Sequence, residues 1–354
     1  MAGLRTMLLA SSLLVLLASA AARAAEKPVA KLAARVFTLR TRDGDVSIPF
    51  ESSLDLSTVH PDITQAAIVF HGKGRNVEGY YAALQRAAHE AGAKAQHTLL
   101  MAPQFLREED IAAHGLSKQF LRWREGSWTA GEPATGPVSL SSFDLIDALL
   151  VAVADRNHFP NLASIILVGH SGGGQLLNRY AIVGTQAALL AAAGMHIRFV
   201  IANPSSFFYF DDTRPRPDGV LAPYADAASC PKFDRWRYGP TGAPPYVVDT
   251  SPATWQKREA DYALADVIYL MGTDDTDPDQ VDLDTSCAGE AEGPDRLDRG
   301  KAYFRYVQSR HEQSFRQQLW FVPDVAHFGN RMIDSRCGVA AVFDSGNCAT
   351  IASP

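Results

Sequence analysis

Basic side chains are in short supply. The 354 residues carry 33 Lys and Arg against 39 Asp and Glu, a formal net charge of −6 at pH 7. No basic stripe is available to neutralise a phosphate backbone, which argues against a nucleic-acid partner. Cysteine is scarce too: the four are Cys230, Cys287, Cys337 and Cys348. They form no Cys-x-x-Cys, and no His stands at ligand spacing from any of them, so the pattern of a zinc site is missing. Beyond the N-terminal segment the chain has no internal repeat and no low-complexity tract.

What is present begins with a leader. Arg5 supplies a positive start, "MLLASSLLVLLASA" a short apolar stretch, and "ARA" at 22–24 the small residues a signal peptidase needs. Residues 1–25 are expected to be removed, with cleavage near Ala24. The apolar run is shorter than the ~20 residues of a spanning helix, so export without a stable membrane anchor is expected. Export makes the even number of cysteines readable as two disulfides. Proximity in sequence pairs Cys337 with Cys348, and elimination pairs Cys230 with Cys287; two other connectivities remain open.

Hydrophobic residues make up 47% of the chain and charged ones 20%, enough apolar material for one enlarged domain over residues 26–354. Short runs rich in branched residues read as buried strands: "AAIVF" at 66–70, "TLLMA" at 98–102, "SIILVG" at 164–169, "IRFVIA" at 197–202, "DVIYLMG" at 266–272 and "LWFV" at 319–322. Helical stretches at 77–92, 142–157, 172–192 and 300–316 alternate with them. The alternation predicts an α/β fold, a doubly wound, mostly parallel sheet covered on both faces. Two intervals, about 106–140 and 204–252, are too long for simple connections and read as lid-like insertions.

"GHSGG", Gly169 to Gly173, fits G-x-S-x-G between a strand and a helix, the setting in which a serine is held on a sharp turn above a sheet. A serine hydroxyl needs a histidine to take its proton, and the histidine needs a carboxylate. "WFVPDVAHFGNRM" places His327 just after the last strand. "YLMGTDDTD" places Asp274, Asp275 and Asp277 after the strand before it, leaving three candidates for the acid. "VFHGKGRN" ends a strand in a glycine-rich turn suited to holding a developing oxyanion on backbone N–H groups. The expected donors are Gly172, after the nucleophile, and Lys73 or Gly74.

On these motifs the sequence resembles the α/β-hydrolase superfamily, and in particular its secreted serine hydrolases, from about Ala66 to Met332. "SSFDLIDALL", "FPNLASIILVGHSGGGQLLNRYA", "ANPSSFFYF" and "YLMGTDDTDPDQVDLDTSC" add to the likeness. The resemblance implies a triad of Ser171, Asp275 and His327, with Asp275 matching the acid through its G-x-x-D spacing from Gly272. It implies no cofactor, and substrates among esters, lipids, polyesters, amides and peptides. Lys73 departs from the small or apolar residue usual in that turn.

Other features have plainer readings. "DDTDPDQVDLD" looks like a calcium loop, but its sixth and twelfth positions counted from Asp275 are Gln280 and Ser286 instead of Gly and Glu, so no metal is expected. Trp123, Trp128, Ser205 and Phe207 are candidates for a substrate-binding wall. The activity expected is ester hydrolysis of a small or polymeric substrate through an acyl-enzyme. Amide or peptide hydrolysis on the same triad, and a non-catalytic binding protein on the same fold, are the alternatives.

Overall fold

A computed structural model gives the structure and describes residues 27–348. The expected leader, residues 1–25 with cleavage near Ala24, lies outside them. The chain opens with an antiparallel hairpin, β1 (Arg35–Thr41) and β2 (Gly44–Ser52). Then follow β3 (Gln65–Phe70), α1 (Val77–Ala91), β4 (Thr98–Pro103), α2 (Glu108–Ala113), α3 (Ser142–Val153) and β5 (Ser164–His170). After these come α4 (Gly172–Val183), α5 (Thr185–Ala192), β6 (His196–Ala202) and a small hairpin of β7 (Thr213–Pro215) and β8 (Leu221–Pro223). The last third holds α6 (Pro252–Leu264), β9 (Asp266–Gly272), α7 (Cys287–Glu290), α8 (Arg296–Arg310), β10 (Gln318–Val322), α9 (Gly329–Ile333) and α10 (Arg336–Phe343).

Eight strands make one sheet in the order β1-β2-β4-β3-β5-β6-β9-β10, parallel from β4 to β10. The six expected strands are its parallel part. Along β3, Ala66, Ile68 and Phe70 enter one core while Ala67 and Val69 enter the other. β5 divides the same way, Ile165 and Leu167 against Ile166 and Val168. That alternation with both faces apolar is why the strands read as continuous hydrophobic runs. Residues of α3, α4, α6 and α8 cover the first face; those of α1, α9 and α10 cover the second.

Three details differ from expectation. The edge hairpin β1–β2 adds two strands whose outer member is largely exposed and mixes apolar residues with Arg35, Thr38, Arg40 and Thr41, so it lacks an apolar run. The helix expected over 172–192 is broken at Gly184, whose extended ψ of 114° ends α4 before α5 begins. The helix expected from 300 starts earlier, at Arg296, where the Asp295 side chain accepts the Asp298 N–H as a cap.

Strand order reverses between β3 and β5: the chain moves from β3 outward to β4, then returns across β3 to β5. A crevice at the carboxyl ends of the strands is expected at such a reversal. The turn after β3 carries Lys73, and the turn after β5 carries Ser171. Among the described residues no helix is long and apolar enough to cross a membrane. Two disulfides join Cys230 to Cys287 and Cys337 to Cys348.

Candidate active site

β5 hands directly to α4 through one residue, Ser171, at φ 56° and ψ −115°. This backbone region is costly for a residue with a side chain and persists where the surroundings hold it. A Cβ on Gly169 would stand 2.3 Å from the Gly173 oxygen, and one on Gly173 would stand 2.2 Å from the Phe70 oxygen. The two glycines therefore let strand, turn and helix approach one another with no room for a methyl group. The Ser171 N–H donates to the Ala202 carbonyl on β6 at 2.9 Å, fixing the turn to the neighbouring strand. Behind it, the first turn of α4 aims N–H groups that lack intrahelical acceptors, which favours negative charge near the hydroxyl.

Ser171 Oγ lies 2.9 Å from His327 Nε2, and His327 Nδ1 lies 2.7 Å from Asp275 Oδ2. Asp275 is 2% exposed, Ser171 5% and the His327 side chain 11%. Asp274 and Asp277, the other two candidate acids, face solvent. Asp275 is turned inward because its backbone is bonded on both sides: its N–H donates to Gly272, and its carbonyl accepts from Leu297 at the start of α8. Fully buried Arg296 stands behind it, with Nη1 3.5 Å from Asp275 Oδ1 and Nη2 donating to Gln280 Oε1.

The turn after β3 is braced by His71 and Arg75, residues of the "VFHGKGRN" motif whose partners lie far along the chain. His71 is buried; its Nδ1 donates to the Gly72 carbonyl at 2.8 Å, and its Nε2 accepts the Phe105 N–H at 3.0 Å. One ring nitrogen donating and the other accepting is the pattern of a neutral imidazole, and burial lowers the His71 pKa to about 4. Arg75, at φ 58°, forms a buried two-point bridge to Asp110 of α2 at 3.0 and 3.2 Å and reaches the Lys73 carbonyl at 3.4 Å. The Lys73 amide nitrogen lies 3.2 Å from where a Cβ on Gly172 would be, so the two expected oxyanion donors belong to touching backbone segments. The Lys73 ammonium extends outward to Glu125 at 3.4 Å and Asp282 at 3.8 Å.

The four expected substrate-wall residues, Trp123, Trp128, Ser205 and Phe207, are all buried. Trp123, Trp128 and Phe207 are buried in the first core; Trp123 stacks edge-on to Phe105, and Phe207 lies flat on Tyr303. Trp128 alone of the three approaches the nucleophile turn, its ring edge 3.2 Å from the Cβ position of Gly172. Ser205 is buried, accepting the Asp284 N–H and donating to the Asp282 carbonyl. Each is held by packing or backbone bonds that turn it away from solvent. Two surface grooves, of about 1010 and 550 Å³, are lined near β7–β8 and α8, and neither is lined by Ser171, Asp275 or His327.

No family model matches the chain, and no curated protein sequence matches it. Among solved structures, it is similar to poly(aspartic acid) hydrolase-1 from Sphingomonas sp. KT-1, with a TM-score of 0.58 and 21% identity over 89% of this chain and 99% of that one. It is also similar to LpqC, a poly(3-hydroxybutyrate) depolymerase from Bordetella parapertussis, with a TM-score of 0.58 and 18% identity over 89% and 92% of the two chains. The sheet order and these likenesses agree: the chain has the α/β-hydrolase fold.

Proposed function

We propose that this chain, built on the α/β-hydrolase fold, is an exported serine hydrolase that cleaves ester bonds by two acyl transfers. The observation that carries the reading is the unbroken hydrogen-bond chain from Ser171 through His327 to Asp275, with the serine on a strained turn at a helix N-terminus. In the first transfer His327 Nε2 takes the Ser171 proton as Oγ bonds to the substrate carbonyl carbon, and the carbonyl electron pair moves onto oxygen. That oxyanion accepts from the N–H groups of Gly172 and Lys73, each worth about 3 kcal/mol to such a transition state. Collapse breaks the bond to the leaving alkoxide oxygen, which receives the proton from Nε2. Water then repeats the sequence on the acyl-enzyme, releasing the carboxylic acid and restoring Ser171. Asp275 accepts from Nδ1 throughout and stabilises the transient imidazolium.

Two solved structures of the same fold are named as a polymer hydrolase and a polymer depolymerase, so a polymeric substrate belongs in the test beside small esters. The two disulfides suit an oxidising compartment and hence export. Nitrophenyl esters of increasing acyl length, an aliphatic polyester and a peptide amide are to be compared with wild type and Ser171→Ala. Ester turnover lost in Ser171→Ala is expected. Peptide cleavage without ester turnover would move the assignment to an amidase, and no Ser171-dependent turnover of any substrate would favour a binding protein.

A further inference from the structure

His170, the residue before Ser171, is the last residue of β5 and shares the face of Val168, the side covered by α1. It is 2% exposed, and its ring centre lies 4.6 Å from that of His327 at an interplanar angle of 36°. Tyr80 of α1 stands 2.9 Å from His170 Nδ1 through its hydroxyl, while His170 Nε2 is buried without a hydrogen-bond partner. Nothing in the hydrolytic steps above uses either side chain.

The Tyr80 hydroxyl sits where three segments meet. A Cβ on Gly72 and a Cβ on Gly329 would each lie 2.6 Å from it. Gly72 precedes Lys73, His170 precedes Ser171, and Gly329 follows His327 by two residues. Burial raises the Tyr80 pKa, so the phenol keeps its proton and meets His170 Nδ1 as a neutral hydrogen-bonding partner. Burial, with the nearby His327 and Arg296, holds the His170 pKa well below the usual histidine range, so a neutral ring lies against His327. His327 spends both nitrogens on in-plane hydrogen bonds, which leave its plane free to tilt about the line between them. A ring fixed against its face removes that freedom. Being neutral, it also adds no repulsion when His327 becomes an imidazolium.

We infer that Tyr80 and His170 are positioning residues for the hydrolysis proposed above: the Tyr80 hydroxyl, wedged between Gly72 and Gly329 and bonded to His170, fixes the tilt of His327 and its spacing from Ser171 and the Lys73 turn. The inference rests on the serine-hydrolase reading. Its test is kcat and KM on a nitrophenyl ester for wild type, Tyr80→Phe and His170→Asn, normalised to active sites titrated with a fluorophosphonate, beside melting curves. Tyr80→Phe removes one oxygen; His170→Asn keeps a hydrogen-bonding side chain beside Tyr80 but has no ring to lie on His327. Both are expected to lower kcat on the order of 10- to 100-fold with KM within about twofold, because small misplacement of reacting groups costs rate more than binding. If Tyr80→Phe does not fold, His170→Asn decides. A kcat within about twofold of wild type in the folded variants overturns the inference while wild-type activity stands. Wild type without Ser171-dependent turnover overturns the parent reading and this one together.

Discussion

Three aspartates follow β9 within five residues, and burial separates them. Asp275 is enclosed and bonded to His327, while Asp274 accepts from the neighbouring Thr273 hydroxyl and Asp277 from the Asp279 N–H at the surface. Asp275→Asn should therefore keep the fold and lower kcat by as much as ~10⁴-fold, since an amide favours the wrong histidine tautomer. Asp274→Asn and Asp277→Asn should each leave kcat within a small factor. Steady-state kinetics of the three variants on one activated ester, with circular dichroism for folding, checks this; a large loss in either surface variant with Asp275→Asn near wild type would reassign the acid. Ser171 and His327 were legible because their turn and their place after a strand are written in adjacent letters. Arg75, Tyr80, His170 and Arg296 were not, because each acts through a partner distant in sequence: Arg75 with Asp110, Tyr80 with His170, Arg296 with Asp275. Trp123 and Phe207 read as wall residues because a single aromatic letter is the same whether it faces a cleft or a core.

The unit that positions the nucleophile is β5, its one-residue turn and α4. Its tolerance is set by main chain: a Cβ on Gly173 meets the Phe70 and His71 carbonyl oxygens, atoms of β3 and the turn that cannot swing aside. Gly173→Ala should cost about 1–3 kcal/mol of stability through overpacking and should lose activity out of proportion, as the turn shifts Ser171 from His327. Urea unfolding and ester turnover measured on the same preparation check both parts; a variant as stable and as active as wild type would show that the turn has slack. The parallel strands were legible because they are apolar on both faces. The β1–β2 hairpin does not stand out in the sequence despite "RDGD" at its turn, where Gly44 takes φ 119°, because β1 is largely exposed and β2 mixes its buried Val46, Ile48 and Phe50 with polar residues and a proline. The break at Gly184 was invisible to periodicity, since the apolar pattern runs on through it.

Across the whole molecule, buried titratable groups tie stability to pH. Glu292 is fully buried, accepts the Phe207 N–H through Oε2, and leaves Oε1 without a partner; burial raises its pKa to about 8. From the ordinary glutamate value of 4.5 up to that value, the folded chain holds a proton that the unfolded chain has released, so its contribution is present at low pH and lost as pH rises through 8. His71, lowered to about 4, works oppositely: neutral in the fold and charged when unfolded below 6.5, it costs stability as pH falls. The interval between 6.5 and 8 therefore isolates Glu292 from His71. The melting midpoint is expected to decline across that interval, and Glu292→Gln to flatten the decline; equal slopes would contradict the assignment. The central proposal is that Ser171 is an activated nucleophile. Reaction with a fluorophosphonate probe followed by intact-mass and peptide analysis tests it most directly. One adduct per folded chain is expected, on Ser171, absent from Ser171→Ala and slowed severely in His327→Ala; folded wild-type protein that takes up no probe, or takes it up on another residue, would contradict the proposal.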